Sequence, residues 1–185
     1  MRTLLNKITN ISFKVAKMIL ATTVILALNS NTFVYAKGKE KSYYELQAEL
    51  LYNFADYVKW PDYFSKTKNL CVVEDNPVLP YLYNILREKN KNIILVRKHE
   101  NDYLEDCTIL FVNNYYDGYV ERLLHRVKGK PILTFSNIKN FAHSGGIVQF
   151  TLRNNRVEFI INVEEMKNSQ IKIDNSILSI ADTIN

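Results

Sequence analysis

The sequence has few of the residues from which most active sites are built. Its 185 residues include three histidines, two cysteines and one tryptophan. His99, His125 and His143 lie far apart along the chain, and none shares a metal-ligand spacing with another histidine, a cysteine or paired carboxylates. The sequence therefore predicts a protein without a metal, a cofactor or an enzymatic activity.

Other catalytic signatures are missing as well. There is no C-x-x-C pair and no nucleophile-elbow motif. Gly145 and Gly146 precede a predicted strand, whereas a phosphate-binding loop would place its glycines at the start of a helix. The chain also has no internal repeat and no low-complexity segment.

Residues 1–36 have the pattern of a secretory signal peptide. Four basic residues and no acidic residue precede or adjoin an apolar run at residues 18–28, and Val34-Tyr35-Ala36 resembles a cleavage site. The run is shorter than the roughly 20 apolar residues that a membrane span needs. We predict a cleaved signal peptide at residues 1–36 and one periplasmic domain at residues 37–185.

Removing the signal changes the charge balance. The whole chain has 24 basic and 19 acidic residues, and four of the basic residues lie in the signal. The remaining chain therefore has 20 basic residues against 19 acidic ones. The high isoelectric point reflects the signal, and the mature domain is not predicted to bind nucleic acid.

The spacing of apolar residues predicts an α/β fold. Helices are expected at residues 43–60, 78–89 and 116–127, and strands at residues 70–73, 93–96, 107–112 and 131–135. Because strands alternate with helices and are nearly continuous apolar runs, we predict a three-layer αβα sandwich with a mostly parallel sheet.

The end of the chain has a different pattern. Residues 146–152 and 156–161 flank the polar segment 153–155, which predicts a C-terminal antiparallel hairpin. A last helix is expected to begin at Asn175 and Ser176, with Ile177, Ile180 and Ile184 on its apolar side.

The two cysteines, Cys71 and Cys107, are each predicted to begin a strand. In a sheet of strand order 2-1-3 these strands are neighbours, which brings the two residues within reach of a disulfide. In a secreted protein the pair is expected to form a structural disulfide, whereas in a reducing compartment it would be two buried thiols. A redox-active pair is the third alternative.

Aromatic residues concentrate around the end of the first helix. The cluster comprises Tyr43, Tyr44, Tyr52, Phe54, Tyr57, Trp60, Tyr63 and Phe64. Some of these side chains are needed for the core, but the cluster exceeds what one helix needs to pack. Tyr57, Trp60, Pro61, Tyr63 and Phe64 are therefore the predicted partner-binding residues, and an interface with a second copy is the alternative.

A second candidate site lies where the predicted parallel strands end. Ligands of open α/β sheets bind in the crevice at the carboxyl ends of the strands. Polar residues occupy those positions, although strand-end loops are polar in general. The predicted crevice residues are Asp75, Asn76, Asn113, Asn114, Ser136 and Asn137.

An ordered set of short motifs resembles the YfiR-like family of periplasmic proteins. The first is Tyr52-Asn53-Phe54-Ala55 followed by Trp60-Pro61. The others follow in the family order at residues 70–77, 106–111, 132–134, 145–150, 156–162, 171–173 and 176–181. No single motif is specific, but the set covers essentially all of residues 45–184.

The resemblance implies a non-enzymatic periplasmic α/β domain that is commonly dimeric. It also implies a partner, the periplasmic sensor domain of an inner-membrane diguanylate cyclase, which the protein holds inactive until redox or envelope stress lifts the repression. A sensor kinase is the other candidate partner.

One departure limits the resemblance. Family members can carry a second cysteine pair near the C-terminal hairpin, and this chain has none there. Any redox response must therefore use Cys71 and Cys107. The alternative function that we weigh is a small-ligand-binding module that uses the strand-end crevice.

Overall fold

The computed structural model describes residues 41–63, 67–89, 92–113, 118–153 and 156–185. The predicted signal peptide, the polar segment that follows it, the first residues of the third predicted helix and the tip of the predicted hairpin lie outside these residues. The signal peptide and its cleavage therefore stay predictions.

The described chain forms five helices, a short 3-10 turn and nine strands. The helices are α1 (Tyr43–Phe54), α2 (Leu79–Glu88), α3 (Val120–Val127), α4 (Val163–Asn168) and α5 (Asn175–Leu178), and the 3-10 turn is Ala55–Tyr57. The strands are β1 (Val58–Lys59), β2 (Lys68–Val73), β3 (Ile93–Lys98), β4 (Ile109–Val112), β5 (Leu133–Ser136), β6 (Val148–Arg153), β7 (Arg156–Asn162), β8 (Lys172–Ile173) and β9 (Asp182–Ile184).

Seven strands form the main sheet in the order β3-β2-β4-β5-β6-β7-β9. Neighbours from β3 to β6 are parallel, β6 and β7 are antiparallel, and β9 lies parallel to β7. The predicted α/β class, the mostly parallel sheet and the C-terminal antiparallel hairpin are confirmed. The 2-1-3 order of the first three strands of the main sheet is also as predicted.

Both faces of the sheet are buried, each by different helices. On β2, Leu70 and Val72 face α1 and α2, whereas Cys71 and Val73 face α3. We call these two layers the α1–α2 core and the α3 core. Because both faces are covered, all residues of β4 are apolar and buried, and even the polar residues Thr134 and Ser136 of β5 are buried.

The first helix is shorter than predicted. Ser42 caps its start by accepting a hydrogen bond from the Glu45 N–H at 3.2 Å, but α1 ends at Phe54 and not at Trp60. The chain then passes through the 3-10 turn into β1, which pairs antiparallel with β8. The backbone of β1 forms its hydrogen bonds with a strand more than 100 residues away in the sequence. The helical spacing of Val58 could not predict this pairing.

The predicted last helix is wrong beyond its first turn. Asp174 caps α5 by accepting from the Ser176 N–H at 2.9 Å, but α5 ends at Leu178, and β9 follows as an added strand beside β7. Ile180 is consequently exposed and does not lie on an apolar helix face. The free edge of β7 offers this segment hydrogen bonds that a local apolar spacing cannot predict.

Phe54 anchors the end of α1 in the α1–α2 core. Its ring lies 4.9 Å from the Phe135 ring and 5.4 Å from the Phe159 ring, between centroids, so it joins the helix to β5 and β7. The side chain is fully enclosed. The residue therefore fixes where the chain leaves the helix.

We predict that Phe54→Ala lowers the free energy of unfolding by about 3–5 kcal/mol, because it removes buried ring surface and leaves a cavity. Urea denaturation of the purified protein measures this loss. Tyr83→Ala, which shortens an aromatic side chain exposed by 62% on α2, is the matched control and should change stability by less than about 0.5 kcal/mol. Equal losses in the two variants would contradict the anchoring role.

Candidate functional site

The aromatic residues that follow α1 lie on a tightly held bend, which we call the Trp60 corner (Tyr57, Trp60, Pro61 and Tyr63). Val58 in β1 pairs with Ile173 in β8, and both side chains are buried. The Tyr57 carbonyl accepts a hydrogen bond from the Asp174 N–H at 2.8 Å. The corner is thus fixed at its base by the segment around β8.

Exposure differs among the corner residues. Tyr63 is 71% exposed and Tyr57 is 42% exposed, whereas Trp60 is half-buried and packs against the α1–α2 core. The Tyr63 hydroxyl lies 3.4 Å from Gln170 Oε1. Phe64, the remaining predicted partner-binding residue, lies outside the described residues. The corner therefore combines an anchored tryptophan with two tyrosines that face solvent.

A cavity of about 360 Å³ opens beside Trp60. It is lined by Val58, Lys59, Trp60, Pro61, Asp62, Lys68 and Thr108. Lys68 Nζ lies 5.3 Å from the centre of the Trp60 ring, within the range of a cation–π interaction. Trp60 Nε1 is buried and has no hydrogen-bond partner within the described residues. A buried indole N–H is normally hydrogen-bonded, so this donor is available to a water molecule or a partner group in the cavity.

Positive charge lies around the corner. Lys59 in β1 stands directly opposite Lys172 in β8, so the two side chains point to the same side of the ribbon. Like charges at directly opposed positions are unfavourable. A neighbouring Asp174 partly compensates, and its pKa is held low by the Ser176 N–H and hydroxyl and, to a smaller extent, by Lys59.

Cys71 and Cys107 form a disulfide, as predicted, with their Cα atoms 5.7 Å apart. Both residues are fully buried in the α3 core. Their positions differ from the prediction, since Cys71 is the fourth residue of β2 and Cys107 lies in the turn before β4. The Cys107 N–H donates to the Leu104 carbonyl at 3.0 Å, and this turn brings the sulfur back over the sheet.

The disulfide and the Trp60 corner belong to opposite faces of the sheet but share a backbone connection. Thr108, which follows Cys107, lines the corner cavity. Its N–H donates to the Asn69 carbonyl at 2.9 Å, and its hydroxyl oxygen accepts from the Asn69 N–H at 3.1 Å. On the other side, Asp106 forms an ion pair with the largely buried Lys98, with 2.8 Å between Nζ and Oδ2. The two neighbours of Cys107 thus connect the disulfide to both regions, Thr108 to the corner cavity and Asp106 to Lys98 at the end of β3.

The predicted crevice residues lie at the carboxyl ends of β2, β4 and β5, but their side chains have separate surroundings. Asp75 forms an exposed ion pair with Arg97 at 2.7 Å. The Ser136 hydroxyl donates to the Val112 carbonyl at 2.6 Å and accepts from the Ile138 N–H at 3.0 Å, so it ties β5 to β4. Both side chains therefore have structural partners.

The other crevice residues are amides. Asn76 is buried and its Oδ1 accepts from the Val78 N–H at 3.0 Å, whereas its Nδ2 has no partner within the described residues. Asn113 is buried at the end of β4, and Asn114 lies outside the described residues. Asn137 donates to the Tyr43 hydroxyl at 3.0 Å. It is the one predicted crevice residue that lines a cavity of about 480 Å³ beside α3.

Sequence reasoning missed Gln47, a residue of α1 that is completely buried. Neither its amide nitrogen nor its amide oxygen has a partner within the described part of the chain. Gln47 lies one helical turn after Tyr43, whose hydroxyl accepts from Asn137, so the two residues share one side of α1. No sequence signal identifies such a residue, because a glutamine in a helix is normally exposed.

Among the residues that the structure describes, the histidines and acidic side chains show no catalytic arrangement. His99 Nδ1 lies 2.8 Å from Glu74 Oε2, and this contact, with the Glu100 N–H, holds the pKa of Glu74 below its ordinary value. His125 and His143 are exposed. Ligand atoms of Cys71, Asp106 and Cys107 converge within 4.8 Å, but both sulfurs are committed to the disulfide.

A model of the YfiR/HmsC-like family matches residues 44–182, which include the Trp60 corner, both cysteines and the C-terminal hairpin. The chain belongs to the YfiR/HmsC-like family. The resemblance that the sequence motifs indicated is thereby confirmed. The disulfide fits an oxidising compartment.

A solved structure has the same fold. The chain is similar to a conserved domain protein from Vibrio cholerae O1 biovar El Tor, with a TM-score of 0.58 and 14% identity. The match covers 78% of this chain, which spans 60% of the other. At this identity the similarity concerns the fold alone. No curated protein matches the sequence.

None of the helices in the described residues is both long and apolar enough to cross a membrane.

We predict that the double variant Cys71→Ala/Cys107→Ala lowers the free energy of unfolding of this YfiR/HmsC-like protein by about 3–4 kcal/mol. The cross-link joins residues 36 positions apart, and losing it restores the entropy of that loop in the unfolded chain. Urea denaturation measures the loss, and reduction of the unmutated protein should give a comparable decrease. A change below about 1 kcal/mol in both cases would contradict a structural role.

Proposed function

We propose that this YfiR/HmsC-like protein binds the periplasmic sensor domain of an inner-membrane diguanylate cyclase through the Trp60 corner and holds the enzyme inactive. A sensor kinase is the alternative partner. The observation that carries the proposal is the arrangement of the corner, in which solvent-facing tyrosines flank an anchored tryptophan and a cavity. Aromatic anchors beside a pocket are typical of the residues that dominate protein–protein binding.

The charges around the corner indicate the chemistry of the partner surface. The opposed pair Lys59 and Lys172 and the nearby Lys68 place positive charge beside the aromatic side chains, and Asp62 and Asp174 offset it only in part. A partner that brings carboxylates to these lysines and an apolar side chain to the cavity would relieve the like-charge contact. We therefore expect an apolar contact surface with an acidic rim.

Repression then follows from selective binding and needs no chemical reaction. If the protein binds the inactive form of the sensor more tightly than the active form, binding shifts the population towards the inactive form. A shift from mostly active to mostly inactive requires a difference of a few kcal/mol in binding free energy. An interface of about 800 Å² per partner is of the size that stable complexes use.

The disulfide offers a route by which redox conditions alter this binding. Thr108 follows Cys107 and is hydrogen-bonded to Asn69, which lies two residues before Cys71, and Thr108 also lines the corner cavity. Opening the cross-link would free the turn before β4 and loosen one wall of that cavity. Redox control in this protein would thus act through the shape of the corner.

We predict that Tyr63→Ala weakens partner binding by about 1–2 kcal/mol, roughly a five- to thirtyfold rise in Kd. The measurement is titration of the purified partner domain by calorimetry. Tyr83→Ala removes a similarly exposed tyrosine from α2 and should leave the Kd unchanged. Unchanged affinity for Tyr63→Ala, with its melting temperature intact, would exclude Tyr63 as a contact residue.

In cells, deletion of the gene should raise cyclic di-GMP, and expression of the intact protein should reverse the rise. Both effects follow if an inhibitor of a cyclase is lost and restored, and mass spectrometry of nucleotide extracts measures them. Expression of Tyr63→Ala should restore the low level only in part. Unchanged cyclic di-GMP in oxidising and reducing media would contradict repression of a cyclase and favour a sensor kinase or the second candidate function.

The second candidate function is binding of a small polar ligand at the strand-end side. It is favoured by the buried amides of Gln47 and Asn76, which keep unpaired polar atoms within the described residues. Buried amides normally have partners, and a ligand or water could supply them. A rise in melting temperature with a small molecule would support this function, whereas partner binding that depends on Tyr63 supports the first.

A further inference from the structure

The disulfide belongs to a group of three side chains that carry metal-ligand atoms. The sulfurs of Cys71 and Cys107 and a carboxylate oxygen of Asp106 all lie within 4.8 Å of one another. Thiolate sulfur and carboxylate oxygen are both ligands of Zn²⁺ in proteins. In the oxidised protein the two sulfurs are bonded to each other. The group can therefore bind a metal ion only after the disulfide has been reduced.

The spacing of the three side chains suits tetrahedral Zn²⁺. Zinc lies about 2.3 Å from sulfur and about 2.1 Å from oxygen, so two thiolates on one ion are about 3.8 Å apart, and a thiolate and an oxygen about 3.6 Å apart. Asp106 Oδ1 lies 3.9 Å from Cys107 Sγ, and the Cα atoms of the two cysteines are 5.7 Å apart. Rotations about side-chain bonds are therefore enough to bring the three ligands to one ion.

Lys98 orients the carboxylate and balances the charge of the group. Its Nζ lies 2.8 Å from Asp106 Oδ2, and its side chain is only 10% exposed. Oδ1 is the oxygen in contact with Cys107 Sγ, and carboxylates that bind metals are commonly held by a second group in this way. Two thiolates and one carboxylate carry three negative charges, which Zn²⁺ and the Lys98 ammonium neutralise. Charge buried at this depth is tolerated when it is compensated.

Hydrogen bonds of Asn69 keep the ligands close when the disulfide opens. The Asn69 carbonyl accepts from the Thr108 N–H at 2.9 Å, and its side-chain amide donates to the Asp106 carbonyl at 2.8 Å. Cys71 lies two residues after Asn69 in the same strand. None of these hydrogen bonds involves a sulfur atom, so reduction removes the covalent restraint but leaves Cys107 within reach of Cys71.

We propose that reduction of the Cys71–Cys107 disulfide creates a Zn²⁺ site whose protein ligands are the two sulfurs and an oxygen of Asp106. A dithiol donor supplies the reduction: the two cysteines gain two electrons and two protons, and the donor is oxidised to its own disulfide. Zn²⁺ binding then releases the two thiol protons. The Asp106 side chain is 42% exposed, so the ion enters on that side and a water molecule completes the four ligands.

The bound ion takes over the role of the cross-link. It joins the same two residues, which are 36 positions apart in the sequence, so the loop between them is closed again. Reoxidation requires the ion to leave, and Zn²⁺ thus shifts the equilibrium towards the reduced protein by mass action. Metal binding of this kind is independent of the Trp60 corner and its partner.

The first test is calorimetric titration with Zn²⁺ of protein that has been reduced with a phosphine and freed of it without oxygen. The reduced protein should bind one ion per chain, whereas the oxidised protein should not. Asp106→Asn should weaken binding to the reduced protein by about tenfold or more. Glu105→Gln changes the neighbouring carboxylate, which pairs with Lys130, and should leave the affinity unchanged. Equal binding by oxidised and reduced protein, or an unaltered affinity in Asp106→Asn, would overturn the proposal.

The second test detects the sulfur ligands directly and does not depend on how Asp106→Asn folds. Co²⁺ replaces Zn²⁺ in tetrahedral sites, and each Co²⁺–thiolate bond adds to a charge-transfer absorption in the near ultraviolet. Reduced protein with Co²⁺ should show this absorption, Zn²⁺ should abolish it, and Cys71→Ala should keep at most half of it. No absorption in the reduced protein, or undiminished absorption in Cys71→Ala, would contradict binding by both cysteines.

Discussion

Burial of the parallel sheet on both faces is the constraint on which the rest of this structure depends. All residues of β4 and β5 and residues 70–73 of β2 are buried, so neither face of the sheet meets water there. Helices α1 and α2 cover one face, and α3 covers the other. The proposed partner-binding site lies where this coverage stops, at the bend after α1.

The two covered faces also explain how one short segment can serve both the disulfide and the Trp60 corner. Successive residues of a strand point to opposite faces, so Cys71 enters the α3 core while Leu70 beside it enters the α1–α2 core. Thr108 repeats this arrangement next to Cys107, because its neighbour is cross-linked and it lines the corner cavity itself. A change at the disulfide on one face of the sheet is therefore separated from the corner cavity by a single residue, Thr108.

The sequence predicted the fold class, the order of the central strands and the cysteine pairing, because these follow from apolar spacing and compartment. The predicted secondary structure was wrong where a segment forms its backbone hydrogen bonds with a strand that is distant in the sequence. Residues 58–59 have the spacing of a helix but pair with β8, and residues 182–184 add to β7 for the same reason. Gln47 could not be found, since its burial depends on elements that follow it in the chain. The same limit applies to the predicted crevice. A position after a strand shows at which end of the sheet a residue lies, but it does not show that the Ser136 hydroxyl is already hydrogen-bonded to the Val112 carbonyl.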